Sequence, residues 1–217
     1  MNEPTRIVIA DDHPIVREGL VRTLEREKTF TIVGQAGDGA EALRLIVELH
    51  PDVAVLDVSM PVMDGLEVAR RVQQQALLTE LVFLTMYKDP EYFNAALDLG
   101  VRGYLVKESV VTDFLSCLKA VVAGEYYISP VISHLLIERR RDPANASETL
   151  SLRERLTPAE LSVLRLVSEN KTNKEIANAL FVSIRTVENH RARMCLKLGI
   201  KGHNRLLQYA LENRGKF

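Results

Sequence analysis

The chain has 217 residues, 47% of them hydrophobic, with 28 Lys and Arg, 29 Asp and Glu and no Trp, which is enough for one large domain or two modest ones, each with its own core. No apolar run approaches the roughly 20 residues of a membrane helix, Met1–Arg6 leads straight into a strand rather than forming a signal peptide, and the distant pair Cys117 and Cys195 has no metal spacing; together these suggest reduced thiols in a cytoplasmic protein with no membrane partner. The net charge of −1 hides a division: residues 1–123 carry 12 Lys and Arg against 19 Asp and Glu, a balance of −7, residues 124–152 carry −1, and residues 153–217 carry 13 against 6, or +7. An acidic front and a basic back argue for two domains with different partners, the second facing a polyanion.

Arg6–Ala10 predicts a first buried strand, ended by Asp11-Asp12. Helical spacing follows over 13–27, with Ile15, Val16, Gly19, Leu20 and Leu24 on one side. Phe30–Ala36 predicts a second strand and Gly39–Leu49 a second helix. Then comes Val53-Ala54-Val55-Leu56-Asp57, an apolar run of the kind buried on both faces of a parallel sheet. Leu66–Val72 reads as a helix, Leu81–Thr85 as a strand, Glu91–Leu99 as a helix, Gly103–Val106 as a strand and Val110–Ala123 as a last helix. Five strands alternating with five helices imply a doubly wound α/β domain over 1–123, with a parallel sheet in the order 2-1-3-4-5.

Residues at the C-terminal ends of those strands carry the chemistry. Asp11 and Asp12 follow the first strand, Asp57 ends the third, Thr85 ends the fourth and Lys107 follows the fifth. Strands 1 and 3 are neighbours at the switch point, so the three carboxylates converge and need a cation. An all-oxygen donor set with room for waters suits Mg²⁺. Thr85 offers a hydroxyl and Lys107 a fixed positive charge for a further anion. Such a set holds a metal and a phosphoryl group on an aspartate, a carboxylate nucleophile of known type. A dehalogenase-like aspartyl phosphatase is the enzymatic rival, but it wants a second Asp two residues on, where Ser59 stands.

Asp11-Asp12, the Asp57-Val58-Ser59-Met60-Pro61 run with Asp64-Gly65, Thr85 and Lys107 resemble the receiver domain of bacterial two-component response regulators. The resemblance implies that Asp57 accepts a phosphoryl group from a sensor histidine kinase. It implies Mg²⁺ bound by Asp12, Asp57 and the Ser59 backbone carbonyl, with Asp11 in support, and phosphoryl oxygens held by Thr85 and Lys107. Tyr104 falls at the aromatic switch position that moves inward as Thr85 is drawn to the phosphate. One departure is Glu108, where many receivers have a cis proline after the lysine. A non-proline cis bond costs about 3–4 kcal/mol, so Lys107–Glu108 is expected to be trans or a strained exception. Ser59 and Tyr87 border the pocket.

Residues 124–152 read as a linker. Gly124–Pro130 breaks the last receiver helix, Val131–Arg140 suits a short helix, and Asp142–Ser147 has the composition of a joint. The Arg139-Arg140-Arg141 run reads as a solvated helix end.

The basic segment, 153–217, predicts four helices. Thr157-Pro158-Ala159-Glu160 and Thr172-Asn173-Lys174-Glu175 are capping boxes; the helix after the first is expected to bury Leu161, Leu164 and Val167. Ser183 caps a third helix to Leu198, Gly199 ends it, and His203–Asn213 is the fourth. Two helices joined by a tight turn, the second longer and basic, have the form of a helix-turn-helix. On that longer helix Val187, Met194 and Leu198 share one side, while Arg185, Asn189 and Ala192 lie opposite, flanked by Glu188 and Arg193. Asn can bond adenine and Glu can accept from cytosine.

These capping boxes, with Ser183–Arg191 and Lys197-Leu198-Gly199, resemble the four-helix DNA-binding domain of the NarL/FixJ (LuxR-type) regulators. The resemblance implies that Glu188, Asn189 and Ala192 face bases in double-stranded DNA. Lys174, Arg185, Thr186, Arg193 and Lys197 would meet phosphates. The fourth helix would form a homodimer on a near-palindromic operator. The expected protein is a phosphorylation-controlled transcription factor and not an enzyme. The alternatives are constitutive DNA binding, or a receiver governed by protein partners.

Overall fold

A computed structural model describes residues 3–86, 88–141, 156–200 and 205–213. The chain forms two compact units, the first built on a sheet and the second on helices. In the first, strands β1 (Thr5–Ala10), β2 (Phe30–Ala36), β3 (Val53–Asp57), β4 (Glu80–Thr85) and β5 (Gly103–Val106) alternate with helices α1 (Pro14–Leu24), α2 (Gly39–Leu49), α3 (Gly65–Gln74), α4 (Pro90–Asp98) and α5 (Val110–Val122). Every strand pairing is parallel. The sheet has one strand more than the periodicity predicts. Tyr127–Ile128 forms β6 beside β5, giving the order β2-β1-β3-β4-β5-β6. Two residues are too few to show alternation, so no local signal marks this strand; the open edge of β5 recruits it.

Both faces of the sheet are covered. Ile7, Ile9, Val53, Val55, Val82, Leu84 and Leu105 pack with Leu20 and Leu24 of α1 and Phe114, Cys117, Leu118 and Val121 of α5. The residues between them, Val8, Ala54, Leu56, Phe83 and Tyr104, are buried as well. Burial on both faces is why these strands read as unbroken apolar runs. Ile15 departs from its expected inner position and is 87% exposed.

The segment read as a linker with a short helix is partly built into this unit. After β6 a 3₁₀ turn over Pro130–Ile132 leads to α6 (His134–Arg141), with Ile132 and Leu135 buried. The predicted joint, Asp142–Ser147, lies outside the described residues, as does Tyr87.

The second unit contains α7 (Pro158–Ser168), α8 (Asn173–Leu180), α9 (Ile184–Leu198) and α10 (Arg205–Glu212). Both predicted capping boxes form, Thr157 with Glu160 and Thr172 with Glu175. Ser183 Oγ accepts the Thr186 amide at the start of α9, and Gly199 ends that helix at φ +67°, a conformation that favours glycine. Val163, Leu164, Val167, Ile176, Ala177, Val187, Met194, Leu206 and Ala210 make the core. Leu161 is only partly buried, and Val163 takes the inner place expected of it.

Candidate functional site

The register of the sheet assembles the first site. Ala10 pairs with Leu56, so the next residues, Asp11 and Asp57, emerge side by side at the strand ends. Thr85 pairs with Val106, which brings Lys107 to the same edge. From there its ammonium reaches back to Asp57 Oδ2 at 2.7 Å and Asp11 Oδ2 at 2.8 Å. Asp57 Oδ1 accepts the Ser59 amide at 3.2 Å, and Asp11 Oδ1 accepts the His13 amide at 2.8 Å. Asp11, Asp57 and Thr85 are all buried.

The loop after β3 is closed by the Gly65 amide on the Val58 carbonyl, 2.9 Å away. A Cβ on Gly65 would lie 2.5 Å from the Asp57 carbonyl oxygen, so only glycine lets α3 start this close to the site.

Burial pushes the Asp57 carboxyl above its ordinary range, and the charge of Asp11 adds to this against the opposing pull of Lys107. For Lys107 burial acts downward, but its close pairing with the carboxylates of Asp11 and Asp57 outweighs that and raises it. One ammonium thus stands against two buried carboxylates with Asp12 close by, a local excess of negative charge suited to a cation.

The donor chemistry fits a hard divalent ion. Ligating atoms of Asp11, Asp12, His13 and Asp57 all lie within 4.8 Å of one another. The buried oxygens Asp11 Oδ2 and Asp12 Oδ1 meet Lys107 and His13 at ion-pair distance without a well-directed hydrogen bond. His13 is not among the metal ligands expected from the sequence; its Nδ1 lies 2.7 Å from Asp12 Oδ1. The Asp-Asp-His run was the available signal. The Lys107–Glu108 bond is trans, since the described residues contain no cis peptide.

Tyr104 is inward. It is 1% exposed, edge-on to Phe93 with ring centroids 5.4 Å apart and to Phe83 at 6.4 Å. Burial pushes its phenol up to about 12, against the opposing effect of its hydrogen bond with Thr85.

In the helical unit, α9 presents Arg185, Glu188 and Ala192 to solvent, with Asn189 half-buried, and Lys174 is exposed on α8. Two nominated phosphate contacts depart from the open-face expectation, and a third is already paired. Thr186 is buried with its hydroxyl 2.8 Å from that of Ser183, and Arg193 is buried too. Lys197 bonds Glu160 Oε2 at 2.6 Å. Glu160 is buried in the first turn of α7 and needs a counter-charge, which the exposed Lys197 supplies.

The response regulator receiver domain family matches residues 7–119, and the luxR family of bacterial regulatory proteins matches residues 154–210. This chain is a LuxR-type two-component response regulator. Oxygen regulatory protein NreC of Staphylococcus aureus is 34% identical over 215 residues, covering 96% of this chain and 98% of NreC. The RcsB response regulator of Salmonella typhimurium is 29% identical, with TM-score 0.58 over 96% of this chain and 98% of that one. An RcsB–DNA complex also matches at 29% identity and TM-score 0.58, covering 95% and 97%. As a LuxR-type response regulator the protein is a phosphorylation-regulated, DNA-binding regulator of transcription and not an enzyme. No helix among the described residues is long and apolar enough to cross a membrane.

Proposed function

We propose that this response regulator is switched at Asp57, which takes a phosphoryl group from a phosphohistidine of a sensor kinase. An Asp57 carboxylate oxygen attacks phosphorus, the P–N bond breaks, and the imidazole leaves with a proton. The observation that supports this best is the Lys107 ammonium bridging Asp57 and Asp11 at 2.7 and 2.8 Å. It stands where a phosphoryl oxygen on Asp57 would need a positive charge. Thr85 supplies a hydroxyl to the same group. Asp12, Asp57 and the Ser59 carbonyl, supported by Asp11, are the residues that would hold Mg²⁺, which supplies charge neutralisation at the transferring phosphoryl.

The DNA-reading surface in this proposal is the exposed side of α9, with Glu188, Asn189 and Ala192 toward bases and Arg185 and Lys174 toward phosphates. Thr186 and Arg193 contribute mainly by holding α9 in the fold, and the exposed Lys197 is shared between Glu160 and a phosphate. Solved structures of RcsB, a relative of similar length, include a DNA complex and two dimers bound to two parallel DNAs. By that likeness the active form here is a homodimer, and a two-fold protein fits a near-palindromic operator. The setting is the cytoplasm, where kinase domain and DNA are both accessible.

The test measures affinity for a selected operator at fixed salt, with and without acetyl phosphate and Mg²⁺, while intact mass reports phosphoryl gain. The wild type should gain one phosphoryl group and bind more tightly as a dimer, and the Asp57→Asn chain should do neither. Equal binding by phosphorylated and free wild type would instead make DNA binding constitutive.

A further inference from the structure

The contacts of the segment after α5 fall around the aromatic contact beside the pocket. Its first part lies along β5: the Tyr127 amide donates to the Arg102 carbonyl at 2.9 Å and the Ser129 amide to the Tyr104 carbonyl at 2.9 Å. Ser129, fully buried, then accepts the Val106 amide on its Oγ at 3.1 Å and lies 3.2 Å from Ser109 Oγ. These bonds grip the backbone on both sides of Tyr104 and immediately before Lys107. The last part lies on α4. Arg139 donates to the Asn94 carbonyl at 3.0 Å and to Asp98 Oδ1 at 2.5 Å. Asn94 follows Phe93, the residue on whose ring Tyr104 packs edge-on at 5.4 Å. The segment therefore ties β5 to α4 from outside, across the Tyr104–Phe93 contact.

We propose that residues 126–141 are a clamp on the β5–α4 face, which stabilises the inward, Thr85-bonded position of Tyr104 and thereby favours occupation of the Asp57 pocket. The inference rests on the phosphoacceptor reading above and adds the route by which the pocket communicates with the chain leading to α7. Tyr104 and Lys107 are the side chains of β5 and its end that engage Thr85 and Asp57. A state of the pocket that prefers Tyr104 inward therefore also prefers the clamp closed. By linkage the preference is mutual, so opening the clamp weakens the pocket's hold on its ligand.

The probe is beryllofluoride with Mg²⁺ on the full chain, with ¹⁹F NMR for binding and amide hydrogen exchange for the clamp. In the wild type, bound fluoride resonances should appear, and exchange at Tyr127, Ser129 and Val106 should slow at least threefold. Arg139→Ala, a change on a partly exposed ion pair that spares the core, should weaken beryllofluoride binding about fivefold and Arg139→Lys should recover part of the loss. Ser129→Ala should weaken it further, with thermal unfolding checked to separate misfolding from weakened coupling. Bound resonances with unchanged exchange at those amides, or an Arg139→Ala chain that binds as tightly as wild type, would overturn the clamp. Absence of bound resonances in a folded wild type would overturn the phosphoacceptor reading, and the clamp with it.

Discussion

Asp57, the proposed acceptor, has neighbours that leave it little freedom. Its backbone carbonyl is approached so closely at Gly65 that an added Cβ would sit 2.5 Å from the oxygen and 3.0 Å from Val58 Cα, both backbone atoms that cannot yield cheaply. Gly65→Ala is expected to destabilise the receiver by about 2 kcal/mol, in the range of overpacked sites, and to weaken Mg²⁺ binding. Chemical denaturation and a Mg²⁺ titration would check both. The opposite case is Cys117, which lies between α5 and the sheet. Burial, with a further push from Asp113, carries its thiol up to about 12, so very little thiolate exists near neutral pH. Alkylation of the native chain at pH 8 should therefore leave Cys117 unmodified until the receiver unfolds, and peptide mapping would show it.

At the level of elements, Glu160 joins two functions in one carboxylate. Its Oε2 accepts the Thr157 amide at 2.8 Å, completing the cap of α7, and takes the Lys197 ammonium of α9 at 2.6 Å. Burial acts upward on its pKa, but the charge and hydrogen bond of Lys197, with the Thr157 amide, bring it below the ordinary 4.5. A carboxyl lowered by folding adds stability that is fully present above its unfolded value and is lost as pH falls through the folded value. Glu160→Gln should thus cost about 2 kcal/mol at pH 7, within the range for a hydrogen bond to a charged group. The gap from wild type should narrow only below about pH 4.5. Denaturation followed by circular dichroism at pH 7, 5 and 3.5 would reveal the pattern, and a gap independent of pH would refute it. The pair ties the start of α7 to the last turn of α9.

Across the whole molecule, charge is separated by task. The front segment carries −7 and the back +7, so attraction to DNA belongs to the helical unit while the acidic strand ends offer a cluster suited to a cation. Phosphate contacts release counterions, and affinity then falls with salt in proportion to their number. Lys174→Ala should weaken binding to all sequences about equally and reduce the salt slope by about 1 per protomer. Asn189→Ala should instead cost about 1–3 kcal/mol at the base it reads and leave the slope unchanged. Binding measured at several salt concentrations on matched and mismatched sites separates the two roles, and equal salt slopes for Lys174→Ala and wild type would remove the lysine from the phosphate contacts.

Much of this was readable from the chain alone, because the signals are local. The first five strands and their helices follow from apolar runs and 3.6-residue spacing, the caps from Thr-x-x-Glu, and the pocket from what stands at each strand end. A parallel sheet turns that last pattern into proximity, which is why Asp11, Asp57 and Lys107 meet as expected. The rest depends on partners distant in sequence. Tyr127–Ile128 becomes a strand only because the edge of β5 is open to it, and Arg139 leaves its basic run only because Asn94 and Asp98 are within reach. Lys197 is paired with a buried carboxylate 37 residues away. Periodicity and motif determine which elements exist and which groups collect at the strand ends; tertiary packing decides which charges are spent inside the fold and which remain for a ligand, because a charge is held by whatever opposite charge the fold brings nearest.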